Sequence, residues 1–310
     1  MCGILGTIPS TDYQFFKNSL DTLTHRGPDD FGIENMNSNV SLGHRRLSIL
    51  DISPTGRQPM KNDDERYTIV FNGEIYNFLE LRSDLKKLGY HFKSSSDTEV
   101  LLKAYIEWGA KCVLKFNGMW AFAIWDDTKK ELFLSRDRYG KKPLFYAQIE
   151  DKFVFASEMK AIFPYLKDVE VSDQFQWMKN NIFLYEASDK CLVKGIKRFP
   201  AGYNGIYQNG ILSTKRYWNT LDHLVEAPKS YHEQVEVFRA LFLDSCKIRM
   251  RSDVSIGTAL SGGLDSSATI GAMAHLAGNN NSYSNDWQHA FVAAFPGTPL
   301  DESKYAKMVT

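Results

Sequence analysis

The second residue of this chain sets its terms. The sequence begins Met1-Cys2-Gly3-Ile4. Enzymes that trim initiator methionine tolerate only small second residues, and cysteine is small. Trimming leaves Cys2 with a thiol and a free α-amine on one residue, a nucleophile beside its own base. An α-amine titrates near pH ~7.7–8.0, so a useful fraction is unprotonated at neutral pH. A chain that uses this pair has to bring its other reacting groups to its own first residues. Cys2 to Ile8 reads as a buried strand, and Gly3 lets a substrate approach the backbone closely. The competing reading makes Cys2 a small apolar residue that merely opens that strand.

The 310 residues suffice for two domains, and 43% hydrophobic content allows a sizeable core. Lys plus Arg and Asp plus Glu both number 37, so the formal net charge is zero. That argues against nucleic-acid binding driven by phosphate neutralisation. No apolar run approaches the ~20 residues of a membrane span, and the N-terminus lacks the pattern of a signal peptide. Cys2, Cys112, Cys191 and Cys246 are scattered with no CxxC pair, which suggests neither zinc nor disulfides. A cytoplasmic, reducing compartment fits and would keep Cys2 a thiol.

Tyr13 to Leu23 has helical spacing of apolar residues, and His25-Arg26-Gly27-Pro28-Asp29-Asp30 then reads as a polar loop. Val40 to Leu50 reads as a strand carrying His44-Arg45-Arg46. Paired arginines in a strand are costly unless one faces a site or water, and Arg offers a planar fork for a carboxylate. Tyr67 to Phe71, another strand, runs into Asn72-Gly73-Glu74. An Asn amide beside a Gly N–H can give two donors to one oxygen, the make-up of an oxyanion hole. The same dipeptide is also the strongest short hairpin signal. Asn77 to Leu88 reads as a helix stopped at Gly89, and Ser96 or Asp97 caps a second helix, Val100 to Trp108. Met119–Trp125, Glu131–Ser135, Leu144–Gln148 and Phe153–Ala156 read as closely spaced strands. This alternation predicts sheet packed on sheet with helices outside.

Thr220 to Ser230, with Pro228, reads as a linker between a domain over 2–219 and a second over 231–310. The second opens with a helix, Tyr231 to Arg251. Then come a strand, Val254 to Leu260, the turn Ser261-Gly262-Gly263-Leu264-Asp265-Ser266-Ser267, and a helical run. Strand, glycine-rich turn and helix point backbone N–H groups at a phosphate, though no Lys closes the turn as in a Walker-type loop. His289 to Phe295 reads as a further strand.

Together these residues resemble the glutamine-dependent asparagine synthetases. The carrying segments are MCGI at 1–4, HRGPD at 25–29, HRRLSILD at 44–51, FNGEIYN at 71–77, SDTE at 96–99 and RDRYGKKPLFY at 136–146. SGGLDSS at 261–267 resembles the pyrophosphate loop of ATP pyrophosphatases. The resemblance implies an N-terminal-nucleophile hydrolase sandwich of αββα layers, followed by the first part of an α/β parallel-sheet ATP-pyrophosphatase domain. It implies that Cys2 attacks glutamine and that Asn72 and Gly73 hold the oxyanion. Arg46, Leu47, Ser48, Ile49, Leu50, Glu74 and Asp97 would complete the glutamine site. Leu260 and Ala293 at strand ends would meet adenine, while Ser261, Gly262, Gly263, Asp265, Ser266 and Ser267 would hold pyrophosphate and Mg²⁺. The implied partners are glutamine, aspartate and ATP, with neither nucleic acid nor membrane; a homodimer stays an open alternative.

The implied reaction converts ATP, aspartate and glutamine into asparagine, glutamate, AMP and diphosphate. Two alternatives remain at this stage. The acceptor is a sugar or peptide carboxylate, or the chain is a glutaminase or regulatory remnant. Because only two strands of the second sheet are legible, the sequence also predicts an incomplete second domain with uncovered apolar faces.

Overall fold

The first strand, β1 (Gly3–Ile8), is apolar and almost wholly buried because it lies inside a sheet. It pairs antiparallel with β3 (Val40–Arg46) on one side and β9 (Lys152–Ala156) on the other. Beyond β3 lies β2 (Asp30–Met36); beyond β9 lie β8 (Phe145–Ile149) and β10 (Lys197–Arg198). A second antiparallel sheet runs in the order β12 (Ile211–Arg216), β11 (Tyr203–Gln208), β7 (Glu131–Arg136), β6 (Gly118–Asp126), β5 (Tyr67–Ile75), β4 (Met60–Lys61). This computed structural model describes residues 1–36, 39–181, 185, 188–278 and 286–309.

Side-chain alternation builds the layers. Ile4 and Leu42 meet Val70, Ala121, Ala123 and Leu134, so the two sheets face each other across one core. The other face of β1 presents Leu5 to Phe16 and Leu20 of α1 (Tyr13–Asp21). The outer face of the second sheet presents Ile69, Phe71 and Phe122 to two helices, α2 (Phe78–Lys87) and α3 (Asp97–Trp108). The result is helix, sheet, sheet, helix, the αββα sandwich implied by the sequence.

Three local expectations change. Asn72-Gly73 is no turn: β5 runs straight through it to Ile75, paired with β6 at Asn72–Ala121 and Gly73–Trp120. The expected strand Val40–Leu50 ends at Arg46, because the chain leaves the sheet there and Leu47, Ile49 and Leu50 wall the site. The helix expected from Val100 starts at Asp97, with Ser96 as cap accepting from the Glu99 N–H. Strand β2 was not legible, since its sequence DFGIENM alternates poorly and it lies at the edge of its sheet.

The chain divides into two compact units, Met1–Leu224, which also holds the short helix α4 (Phe175–Asn180), and Val225–Thr310. In the second, α5 (Tyr231–Arg249) starts at Ser230, whose hydroxyl accepts from the Glu233 N–H. Then β13 (Ile256–Ala259), α6 (Leu264–Ala277) and β14 (Gln288–Phe291) form one parallel crossover, followed by α7 (Ser303–Ala306). Its buried clusters are small, Met250–Met273–Ala277 and Leu260–Ile270–Ala306. Phe238 and Leu241 of α5 are 69% and 65% exposed. Among the described residues no helix is long and apolar enough to cross a membrane.

Candidate active site

Cys2 stands just before β1, and its position is fixed from three sides. Arg26 is buried and donates from Nε to the Cys2 carbonyl at 2.9 Å, while its Nη1 meets Glu158 at 2.9 Å. The Ile4 N–H donates to Ser157 Oγ at 3.0 Å. The Cys2 sulfur lies against both polar groups of Leu47, 3.4 Å from its N and 3.6 Å from its O. Burial would raise the Glu158 carboxyl, but Arg26, His25 and Lys160 outweigh it and hold it at about 2. Burial pushes the Cys2 thiol up. While Met1 is attached, the nitrogen of Cys2 is an amide and cannot serve as a base.

Opposite, the outer edge of β5 supplies donors. In an antiparallel strand, successive residues turn their N–H and C=O alternately to the two sides. Ile69 turns outward to β4. Phe71 turns outward too: its N–H donates to Gln58 Oε1 at 2.6 Å and its carbonyl lies 3.1 Å from His44 Nε2. The Ile75 N–H donates to Asp97 Oδ2 at 2.9 Å. Gly73, between them, turns its N–H the same way and into an open cleft of about 540 Å³. A Cβ on Gly73 would lie 2.2 Å from the Met119 carbonyl oxygen, so the edge keeps this geometry only with glycine. Asn72 is fully buried, and neither its Oδ1 nor its Nδ2 has a partner among the described residues. An unpaired buried amide is costly to keep, and this one lines the same cleft as Cys2.

The cleft's far wall is charged. Burial raises Asp97 to about 7, and the neighbouring Glu74 adds to the shift. Burial likewise raises Glu74, while Lys142 opposes the shift. Burial lowers Lys142. Arg46 is buried and donates to the Ser53 carbonyl at 3.0 Å, to Leu50 O at 3.5 Å and to Asp51 O, so it braces the 50–53 loop while lining the cleft.

The cleft therefore gathers Cys2, Arg46, Leu47, Ile49, Leu50, Asn72, Gly73, Glu74 and Asp97. Ser48 does not line it; its N–H donates to Asp29 Oδ2 at 2.8 Å, which turns it away. Lys142, Gln58 and Thr98 also line the cleft, and the sequence reading gave them no role. Lys142 stood inside the matching segment RDRYGKKPLFY, which was the available signal. Asp137, in that segment, accepts from the N–H groups of Tyr139, Lys141 and Lys142 and so shapes the loop presenting Lys142.

In the second unit the turn after β13 is wound on itself. The Ser261 N–H donates to Ser266 Oγ at 3.3 Å, and the Gly263 N–H to Ser261 Oγ at 3.2 Å. Gly262 has φ +80, and a Cβ there would lie 2.5 Å from Tyr305 Cβ. Ser267 Oγ is buried with no partner among the described residues, and Asp265 sits in the first turn of α6. Leu260 is buried just past β13. Ala293 lies two residues past the end of β14, whose pairing stops at Ala259–Phe291; among the described residues β13 is its one neighbour.

The family model described as "Glutamine amidotransferase domain" matches residues 1–218. The chain belongs to the glutamine amidotransferase family. A second model, "Asparagine synthase", matches residues 237–310. "Asparagine synthetase [glutamine-hydrolyzing] 3" of Bacillus subtilis is 36% identical over 100% of this chain and 52% of its own length. "Asparagine synthetase [glutamine-hydrolyzing] 1" of the same organism is 36% identical over 87% of this chain and 43% of its own length. The chain thus spans about half the length of these relatives. A solved glutamine phosphoribosylpyrophosphate amidotransferase from B. subtilis, complexed with ADP and GMP, superimposes with a TM-score of 0.53 at 18% identity. The superposition covers 89% of this chain and 64% of that one, and it shows a shared fold.

Proposed function

We propose that this amidotransferase hydrolyses glutamine at Cys2 and that the whole protein passes the ammonia to aspartate, making asparagine. The carrying observation is the buried, unpartnered Asn72 amide beside the outward Gly73 N–H, in one cleft with the Cys2 thiol. Two donors converging where a nucleophile reaches are what a tetrahedral oxyanion requires.

Once Met1 is gone, the Cys2 amine takes the thiol proton and Sγ adds to the amide carbon. The developing oxyanion accepts from Asn72 Nδ2 and Gly73 N. The amine returns its proton to the leaving nitrogen and ammonia departs. Water then hydrolyses the thioester to glutamate, restoring the thiol. Arg46 suits the substrate's α-carboxylate, and Asp97 with Glu74 suits its α-ammonium. Ammonia kept out of water stays unprotonated and nucleophilic, which favours an internal route to the second active site. There ATP would convert the aspartate side-chain carboxylate to an acyl-adenylate, releasing pyrophosphate, and ammonia would displace AMP. The 261–267 turn suits a phosphate group. A Mg²⁺ ion accompanying ATP would find one carboxylate in it, Asp265, and take its other ligands from phosphate and water. Cytoplasmic conditions would keep Cys2 reduced.

The test is product analysis with glutamine, ATP and aspartate. Asparagine, AMP and glutamate in equal amounts are expected; AMP formation that follows a sugar or peptide carboxylate instead of aspartate overturns the acceptor.

A pH dependence follows from Asp97. Its folded pKa is raised, so its contribution to stability is fully present below the unfolded value of 3.8 and is lost as pH rises towards about 7. A bound ammonium favours the ionised form. The KM for glutamine is therefore expected to fall as pH rises from about 6 to 8. Asp97→Asn should raise KM and flatten this slope. A wild-type KM that is level across this range in steady-state assays contradicts the role.

A further inference from the structure

Strand pairing stops short of the catalytic edge. β4 has two residues and covers β5 only at Thr68 and Ile69. A longer β4 would have covered the Gly73 N–H, whereas nothing at all beside Phe71 would leave its peptide free to tilt. Side chains fill the gap. Gln58 Oε1 accepts from the Phe71 N–H at 2.6 Å, and Gln58 Nε2 donates to Thr98 Oγ1 at 3.1 Å. Gln58 and Thr98 are both buried, and Thr98 is the second residue of α3. His44 comes from β3, in the opposite sheet, and is fully buried. A carbonyl only accepts, so His44 Nε2 carries the proton in its contact with Phe71 O. The ring's other nitrogen, Nδ1, has no partner among the described residues, so this contact alone fixes it by hydrogen bonding. Burial keeps the ring neutral, with its pKa pushed down to about 3.

We infer that Gln58 and His44 are positioning residues that grip the Phe71 peptide by its N–H and its C=O, and so aim the Asn72 amide and the Gly73 N–H at the reacting oxygen. The inference rests on reading the Cys2 cleft as the glutamine-hydrolysing site. The grip leaves the Gly73 N–H, the next outward one, without a strand partner among the described residues, which a longer β4 could not do.

The test uses the full chain with Gln58→Met, which keeps length and volume but replaces the amide oxygen with a weakly accepting thioether. The kcat for glutamine is expected to fall roughly 10- to 100-fold, the scale of a small misplacement of reacting groups, with KM within about twofold. Alkylation of Cys2 by iodoacetamide, followed by peptide mass mapping, is expected to keep its wild-type rate, since that reaction develops no oxyanion. A kcat within about twofold of wild type overturns the inference. So does slowed alkylation in step with kcat, which marks general damage, or a change confined to KM, which makes Gln58 a substrate ligand. If Gln58→Met does not fold, Thr98→Val carries the test by freeing the far end of Gln58. A roughly fivefold loss of kcat is then expected, about the worth of one hydrogen bond, and an unchanged kcat overturns the inference. Absence of glutamate release by the unmodified protein overturns the functional reading itself, and the clamp with it.

Discussion

Cys2→Ala is expected to lower glutamine-dependent turnover by at least about 10⁴-fold, the scale seen when a nucleophile is removed from a hydrolase site. In the whole protein, ammonia-dependent synthesis should survive at its wild-type rate. The contacts that place residue 2 are made by its backbone: Arg26 grips the carbonyl and Ser157 the Ile4 N–H. Removing the sulfur loses only the contacts to Leu47. The fold should therefore persist, and an unchanged melting temperature would show it. Loss of both activities together would make Cys2 a structural residue instead. The companion measurement is intact mass. Active protein should lack Met1, because only then does the thiol have an amine on its own residue; full glutaminase activity with Met1 retained would refute the amine as base.

Asn72→Ala is expected to lower kcat for glutamine by about 10²–10³-fold, the usual loss for one oxyanion donor, with KM little changed. Stability should move the other way or not at all. The native amide is fully buried with both polar atoms unpartnered among the described residues, and such a group carries its desolvation penalty without a compensating bond. Alanine removes the penalty and leaves a small void. A thermal melt that holds or rises while kcat collapses would mark Asn72 as a residue kept for chemistry. A change confined to KM would mean that it only binds substrate.

The candidate site residues were legible because each carries its chemistry in its own side chain or in the smallness of a glycine. Cys2, Asn72, Gly73 and Asp97 could be named from residue type and neighbourhood, and the structure brings them to one cleft. What holds them was not legible. Gln58 stands 13 residues from the Phe71 N–H it accepts from, and Arg26 stands 24 residues from the Cys2 carbonyl it grips. Pairings of that kind leave no local period for a sequence reading to find. Asn-Gly pulled towards a hairpin because a turn is its commonest local use, and long-range pairing with Ala121 and Trp120 overrode that preference. The strand expected over 289–295 ran too far for a related reason: an apolar run gives no sign of where its neighbouring strand ends.

Met1 lines the cleft alongside Cys2. If the cleft takes glutamine as proposed, whatever remains in front of Cys2 would stand in the substrate's space and tie up the nitrogen that would move the proton. On the proposed reading of Cys2 as nucleophile, what precedes it would act as a propeptide whose removal switches the site on. Its switch-on would be an event of synthesis, set by an aminopeptidase as the chain emerges. For the same reason an affinity tag or fusion partner added upstream would give a well-folded preparation with an idle site, and handles for purification belong elsewhere on the chain.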